Sequence, residues 1–174
     1  PYRVVPDDAN LLISPADGTV SDIETVTCDY FGDTPVLRIG IFLSVFNVHI
    51  NRTPCRVKIE SINYKEGKFI NAMNRDCGKV NESNDLVMTR LDEPKDKLVV
   101  RQISGAIARR IVCKTQPGQT LTAGQQFGMI KFGSRTERYL PVSDAATKTV
   151  KIGDKVTAGL TKLVRYEKLM KIMV

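Results

Sequence analysis

The chain has 174 residues, 42% hydrophobic and 26% charged, enough for one domain with a core and too mixed in composition for a low-complexity or disordered segment. Its net charge of +7 suits an acidic partner, nucleic acid or an anionic membrane surface, as well as the solvated face of any basic protein. No apolar run approaches the ~20 residues that cross a bilayer, no secretory leader is visible, and Cys28, Cys55, Cys77 and Cys113 lack the close spacing of a zinc site, so free thiols in a reducing compartment and no metal are expected.

Residues 1–10 carry two prolines and read as an extended lead-in. The apolar run 11–13 is followed by Ser14-Pro15-Ala16-Asp17-Gly18-Thr19-Val20. Pro15 and Asp17-Gly18 mark a turn and Val20 opens a strand; seen alone, Asp17 is ordinary turn chemistry. Residues 34–46 are the most hydrophobic stretch and read as a buried strand. They run on to Val48-His49-Ile50-Asn51-Arg52-Thr53-Pro54, which holds the one histidine of the chain. A lone histidine is more often structural than catalytic. It is also the only side chain with an unperturbed pKa near neutrality, so any histidine acid or base here is His49.

Residues 55–64 alternate polar and apolar as a half-buried strand does. The polar stretch 69–84 reads as loop with some short helix, and 85–90 pairs with 97–103 around the turn at 91–96. A helical turn fits the middle of 102–113, and Arg109-Arg110 within it is a candidate anion contact. The glycine turns in 117–124 and 150–159 echo each other and resemble those of lipoyl-type barrel-sandwich domains. The tail 160–174 spaces Lys162, Arg165, Lys168 and Lys171 by three. It fits a basic amphipathic helix for anionic lipid, and equally a final strand packed on its own domain.

Between a strand-like run at 126–132 and a second run ending at Pro141 lies Gly133-Ser134-Arg135. Gly133 leaves its carbonyl open to a nucleophile and tolerates strained backbone angles, and Ser134 carries a hydroxyl beside that carbonyl. In isolation the pair is a turn.

Four stretches together resemble the phosphatidylserine decarboxylase family in its short prokaryotic form: Ser14 to Val20, Phe42 to Pro54, Gln102 to Ile111, and Gly128 to Arg135 with Tyr139-Leu140-Pro141. Asn81-Glu82-Ser83-Asn84 matches a further polar motif of that family, and the resemblance runs from about Pro1 to about Gly159. It implies a mainly β, barrel-sandwich fold with a few short helices, in a single domain over 1–174. It also implies self-cleavage between Gly133 and Ser134 into chains 1–133 and 134–174, with Ser134 becoming a covalent pyruvoyl cofactor. The family's catalytic aspartate and histidine fall on Asp17 and His49. Longer bacterial relatives carry a second histidine where Phe46 stands here, so no role of that residue carries over. The expected activity is decarboxylation of phosphatidylserine to phosphatidylethanolamine.

The residues allow this chemistry. A serine hydroxyl needs activation; His49 can take the Ser134 proton while Asp17 holds the imidazole and its charged form. Arg109, Arg110 and Arg135 are candidate substrate contacts. From Ser134 onward the chain carries nine Lys/Arg and four Asp/Glu, a net +5 against +2 for the rest. The piece with the cofactor is thus the more basic, which suits peripheral binding to anionic lipid on the cytoplasmic face of the cell membrane. The partners expected are phosphatidylserine in such a membrane and the cleaved fragment itself, with no nucleic acid; a homo-oligomer and an N-terminal anchor outside this chain stay open. Two other readings stand beside this one: a non-catalytic barrel-sandwich binding module, and a pyruvoyl decarboxylase of a soluble amino acid.

Overall fold

The computed structural model describes residues 1–68, 70–74, 76–106, 110–131 and 133–167. Its strands are β1 (Leu11–Ile13), β2 (Gly18–Val26), β3 (Val36–Leu43), β4 (Ile50–Arg52), β5 (Val57–Lys65), β6 (Ser83–Arg90), β7 (Lys97–Ile103), β8 (Ile111–Cys113), β9 (Thr120–Leu121), β10 (Gln126–Ile130), β11 (Ser134–Pro141), β12 (Ala146–Lys148), β13 (Lys155–Val156) and β14 (Lys162–Tyr166). A 3-10 turn at Asp29–Phe31 and a short helix α1 (Cys77–Val80) complete the described elements. The expected mainly β fold is present, with the short helix inside 69–84 and the antiparallel pair β6–β7.

Eight strands form one curled antiparallel sheet in the order β13-β2-β3-β11-β7-β6-β5-β9. The two glycine turns that echo each other in sequence lead to β9 and β13, which edge this sheet at its opposite ends. Two three-stranded sheets, β1-β14-β12 and β4-β10-β8, close over the inner face. There Leu12, Phe127, Leu163 and Val164 join Ile39, Ile41, Leu43, Leu86, Met88 and Val100 in one buried cluster. Hydrophobic burial of this kind, ~25 cal/mol per Å² of apolar surface, is the main favourable term holding the layers together. All four cysteines are free, and Cys28, Cys55 and Cys77 are buried. No helix among the described residues is long and apolar enough to cross a membrane.

Of the two readings of the tail, the strand is the one present. Residues 162–166 form a strand, not a helix, paired with β1 and β12. Leu163, Val164 and Tyr166 are buried while Lys162 and Arg165 face outward; core apolar contacts and two flanking strands outweigh the three-residue spacing of the cations. Residues 168–174 lie outside the described residues.

Register decides where the ends of the strands meet. Thr19 lies opposite Phe42, Ser134 opposite Leu43, and Arg135 and Ser83 both opposite Ile103. The start of β2, the exit of β3, the start of β11, the exit of β7 and the start of β6 are therefore gathered at one end of the sheet.

Candidate active site

Each sequence motif lands at that end. Asp17 precedes β2, residues 44–49 leave β3, Gly133 precedes β11, Ser104 and Gly105 leave β7, and Asn81-Glu82 leads into β6. A relay of buried amides ties them together. Asn84 Nδ2 donates to Gln102 Oε1 (3.0 Å), Gln102 Nε2 to Asn51 Oδ1 (3.0 Å), and Asn51 Nδ2 to Thr136 Oγ1 (3.2 Å) and the Pro15 carbonyl (3.4 Å). Unpaired amides are costly in an apolar interior, so a relay satisfied at each of these links fixes one arrangement of β4, β6, β7 and β11.

Gly133 has φ +57°, a left-handed conformation that glycine adopts without steric cost. The next residue, Ser134, is fully buried. Its Oγ has no hydrogen-bond partner among the described residues. In the continuous chain this hydroxyl is therefore shielded from water and held by no other side chain among the described residues.

Asp17 is held by Arg3, whose two terminal nitrogens donate to its two carboxylate oxygens at 2.6 and 2.8 Å, and by the Ala158 N–H at 2.7 Å. Its influence on His49 is through charge. Burial lowers the His49 pKa below the ordinary imidazole value, and a hydrogen bond to the Asn47 backbone and the Asp17 charge offset only part of that. His49 stands just ahead of β4, its carbonyl accepting from Ile130 N at 3.1 Å. A half-buried imidazole kept neutral is in the form that can accept a proton.

Comparison with known proteins now bears on the same residues. The family model described as phosphatidylserine decarboxylase matches residues 1–163. The chain is 42% identical over 167 residues to the phosphatidylserine decarboxylase proenzyme of Carboxydothermus hydrogenoformans, covering 96% of this chain and 76% of that one. It is 44% identical over 168 residues to the proenzyme of Ralstonia pickettii, covering 96% and 75%, and 44% identical over 163 residues to that of Desulfotalea psychrophila, covering 94% and 74%. The chain belongs to the phosphatidylserine decarboxylase family.

Within a phosphatidylserine decarboxylase fold, the three arginines read as substrate contacts part company. Arg135 is fully buried, and its five N–H donors are spent on Ser21, Asp22 (2.6 and 2.8 Å) and Glu137 (3.1 and 2.8 Å). That corrects its reading as a substrate ligand: two buried carboxylates leave no donor over. Arg110 is exposed and its carbonyl accepts from the N–H of Lys131, also exposed. Arg109 lies outside the described residues. Sequence reasoning did not single out Arg3, Asn51, Gln102 or Thr136. The signal was there for Gln102, a polar residue on the face of β7 that otherwise carries Leu98 and Val100; Asn51 stands in a strand of three residues, too short to show a pattern, and Arg3 sits in a lead-in whose partner lies beyond any local pattern.

Proposed function

We propose that the chain is a self-processing precursor that divides at Gly133-Ser134, converts Ser134 to a pyruvoyl group, and then decarboxylates phosphatidylserine to phosphatidylethanolamine and CO2. The observation that carries this reading is Ser134 itself, a buried, unbonded hydroxyl after a left-handed glycine, at the sheet end where Asp17 and His49 gather. A residue so placed fits a group made from its own backbone. Ser134 Oγ attacks the Gly133 carbonyl carbon; that C–O bond forms, the C–N bond breaks, and His49 moves the Oγ proton to the Ser134 nitrogen. Asp17 stabilises the imidazolium through its charge. Loss of the Ser134 α-proton breaks the Cβ–Oγ bond and releases the Gly133 carboxylate, and water then displaces the nitrogen as ammonia. A pyruvoyl carbonyl supplies the electron sink for loss of CO2 from an amino acid.

The surroundings favour a lipid over a free amino acid. Val45 and Phe46, the latter 95% exposed, stand on the loop that reaches Gly133, and Met73, 68% exposed, follows the Ala72 that packs beside Gly105. These apolar side chains suit acyl chains, and exposed Arg110 and Lys131 suit an anionic headgroup. On this reading the chain works peripherally at the cytoplasmic face of an anionic membrane. Denaturing electrophoresis with intact-mass measurement tests it, followed by assay on phosphatidylserine vesicles and on free serine. Two fragments with a carbonyl at the head of the smaller one, and turnover of the lipid, are expected. A single chain of full mass favours a binding module, and turnover of serine alone a decarboxylase of a soluble amino acid.

A further inference from the structure

Gly105 lies just past the exit of β7 and is buried. Its φ is outside the left-handed region that calls for glycine, so what glycine supplies here is space. The atom that fills the space is the carbonyl oxygen of Gly133. A Cβ on Gly105 would overlap that oxygen and lie 3.1 Å from the Gly133 carbonyl carbon, with the Ala72 Cβ at 3.0 Å.

The seat is built. Asn81, fully buried, donates from Nδ2 to the carbonyls of Ser104 (2.7 Å) and Ile70 (2.9 Å), and its Oδ1 accepts from Ile70 N (3.0 Å). Ser104 also gives its N–H and its hydroxyl to the Glu82 carbonyl, at 3.0 and 3.2 Å. The residue before Gly105 is thus anchored at its N–H, its hydroxyl and its carbonyl, and the segment carrying Ala72 is tied to the same amide.

We infer that Gly105, anchored through Asn81, is the positioning residue for self-cleavage: its bare Cα is the surface against which the scissile carbonyl of Gly133 is aimed at Ser134. This rests on the self-processing reading above. Attack by a neighbouring hydroxyl depends on the angle and distance at the carbonyl carbon, and a displacement of ~1 Å can cost about 100-fold in rate. A methyl group at position 105 must push the Gly133 carbonyl aside, and it acts before any bond has formed.

The test uses freshly translated full-length chain, followed by intact mass with and without hydroxylamine, which captures a Gly133–Ser134 ester as a hydroxamate on Gly133. Gly105→Ala should stay uncut while the wild type finishes, with no hydroxamate, yet unfold cooperatively on heating. Gly124→Ala is the comparator. Its glycine has φ +71° and crowds Val5, so it strains the fold away from the scissile bond and should still cut and still give hydroxamate. Wild-type cutting and hydroxamate yield in Gly105→Ala overturn the inference. Should that variant lack a cooperative transition, Asn81→Ala decides, since it adds no atoms: cutting slowed about tenfold or more supports the seat, and a wild-type rate overturns it. Ser134→Ala, run alongside, separates the two levels. If it cuts like the wild type, or if the wild type does not cut, the self-processing reading fails and the inference with it; if only Gly105→Ala cuts normally, the inference alone fails.

Discussion

The two faces of β11 are equally buried and oppositely provided for. On the outer face Arg135, Glu137 and Tyr139 satisfy one another and bind Asp22 and Arg101. Burial lowers the Arg135 pKa, but hydrogen bonds and charge from Asp22 and Glu137 reverse that and leave it raised. On the inner face Ser134 Oγ and all three guanidinium nitrogens of Arg138 have no hydrogen-bond partner among the described residues. Burial drives the Arg138 pKa down to about 10, with Cys55 and Tyr166 opposing and Arg90 adding to the fall. The first face is satisfied throughout; on the second Thr136 is met by Asn51, while Ser134 and Arg138 on either side of it are not. The hydroxyl proposed to react stands on the second face and needs the first to keep it in place.

The largest way to break the contrast is to delete the unmet group proposed to react. Ser134→Ala should give one chain of full mass with no fragments on a denaturing gel, at any incubation time. Next comes the proposed base. His49→Gln should slow the appearance of fragments by at least about 100-fold. In the wild type the cutting rate should rise with pH as His49 loses its proton and level off below the ordinary imidazole value near 6.5, because burial favours the neutral ring; a midpoint above that value contradicts the base assigned here.

Breaking the satisfied face should cost stability. Asp22→Asn leaves Arg135 with a single carboxylate partner and should lower unfolding free energy by about 3–5 kcal/mol in urea titration. Burial raises the Asp22 pKa, and Arg135, joined by Ser21 and Arg38, more than reverses it, so the folded value lies below the ordinary one. Its share of stability is therefore present above the unfolded carboxylate pKa and lost as pH falls through the lower folded value; Asp22→Asn should flatten that acid limb. The smallest effect is expected on the unsatisfied face. Arg138→Met removes a buried cation without a hydrogen-bonded partner and should leave stability unchanged or raise it by about 1–3 kcal/mol, whereas a loss above that range would mean the guanidinium has an ionic role in the core.

Much of this was legible in the chain. Alternating and β-branched stretches mark β3, β5, β6, β7 and β10, because burial of one face leaves a period of two. Ser134, Asp17 and His49 could be picked out because the motifs around them match a family. The order of strands could not be read, since antiparallel neighbours such as β3 and β11 lie far apart in sequence and carry no local sign of each other. Arg135 shows how adjacency misleads: a cation next to a nucleophile suggests a ligand contact. Glu137, two residues on and so on the same face, was the available warning, while Asp22 was too distant to foresee. For Lys162–Tyr166 helix and strand stayed equal in the sequence, because spacing of cations says nothing about which neighbouring strands are free to pair.

The position of β11 between β3 and β7 carries a last consequence. The proposed cut ahead of Ser134 would turn an interior strand into the leading segment of a separate polypeptide still hydrogen-bonded along both edges, with β13 and β14 stitched to β2 and β1. The product would be an interlaced heterodimer in which two of the three sheets draw strands from both pieces, and only β4-β10-β8 belongs wholly to one. Its unfolding would be easy to reverse while the chain is whole and second-order afterwards, so that dilution during refolding, harmless to the precursor, would strand the mature enzyme as two halves.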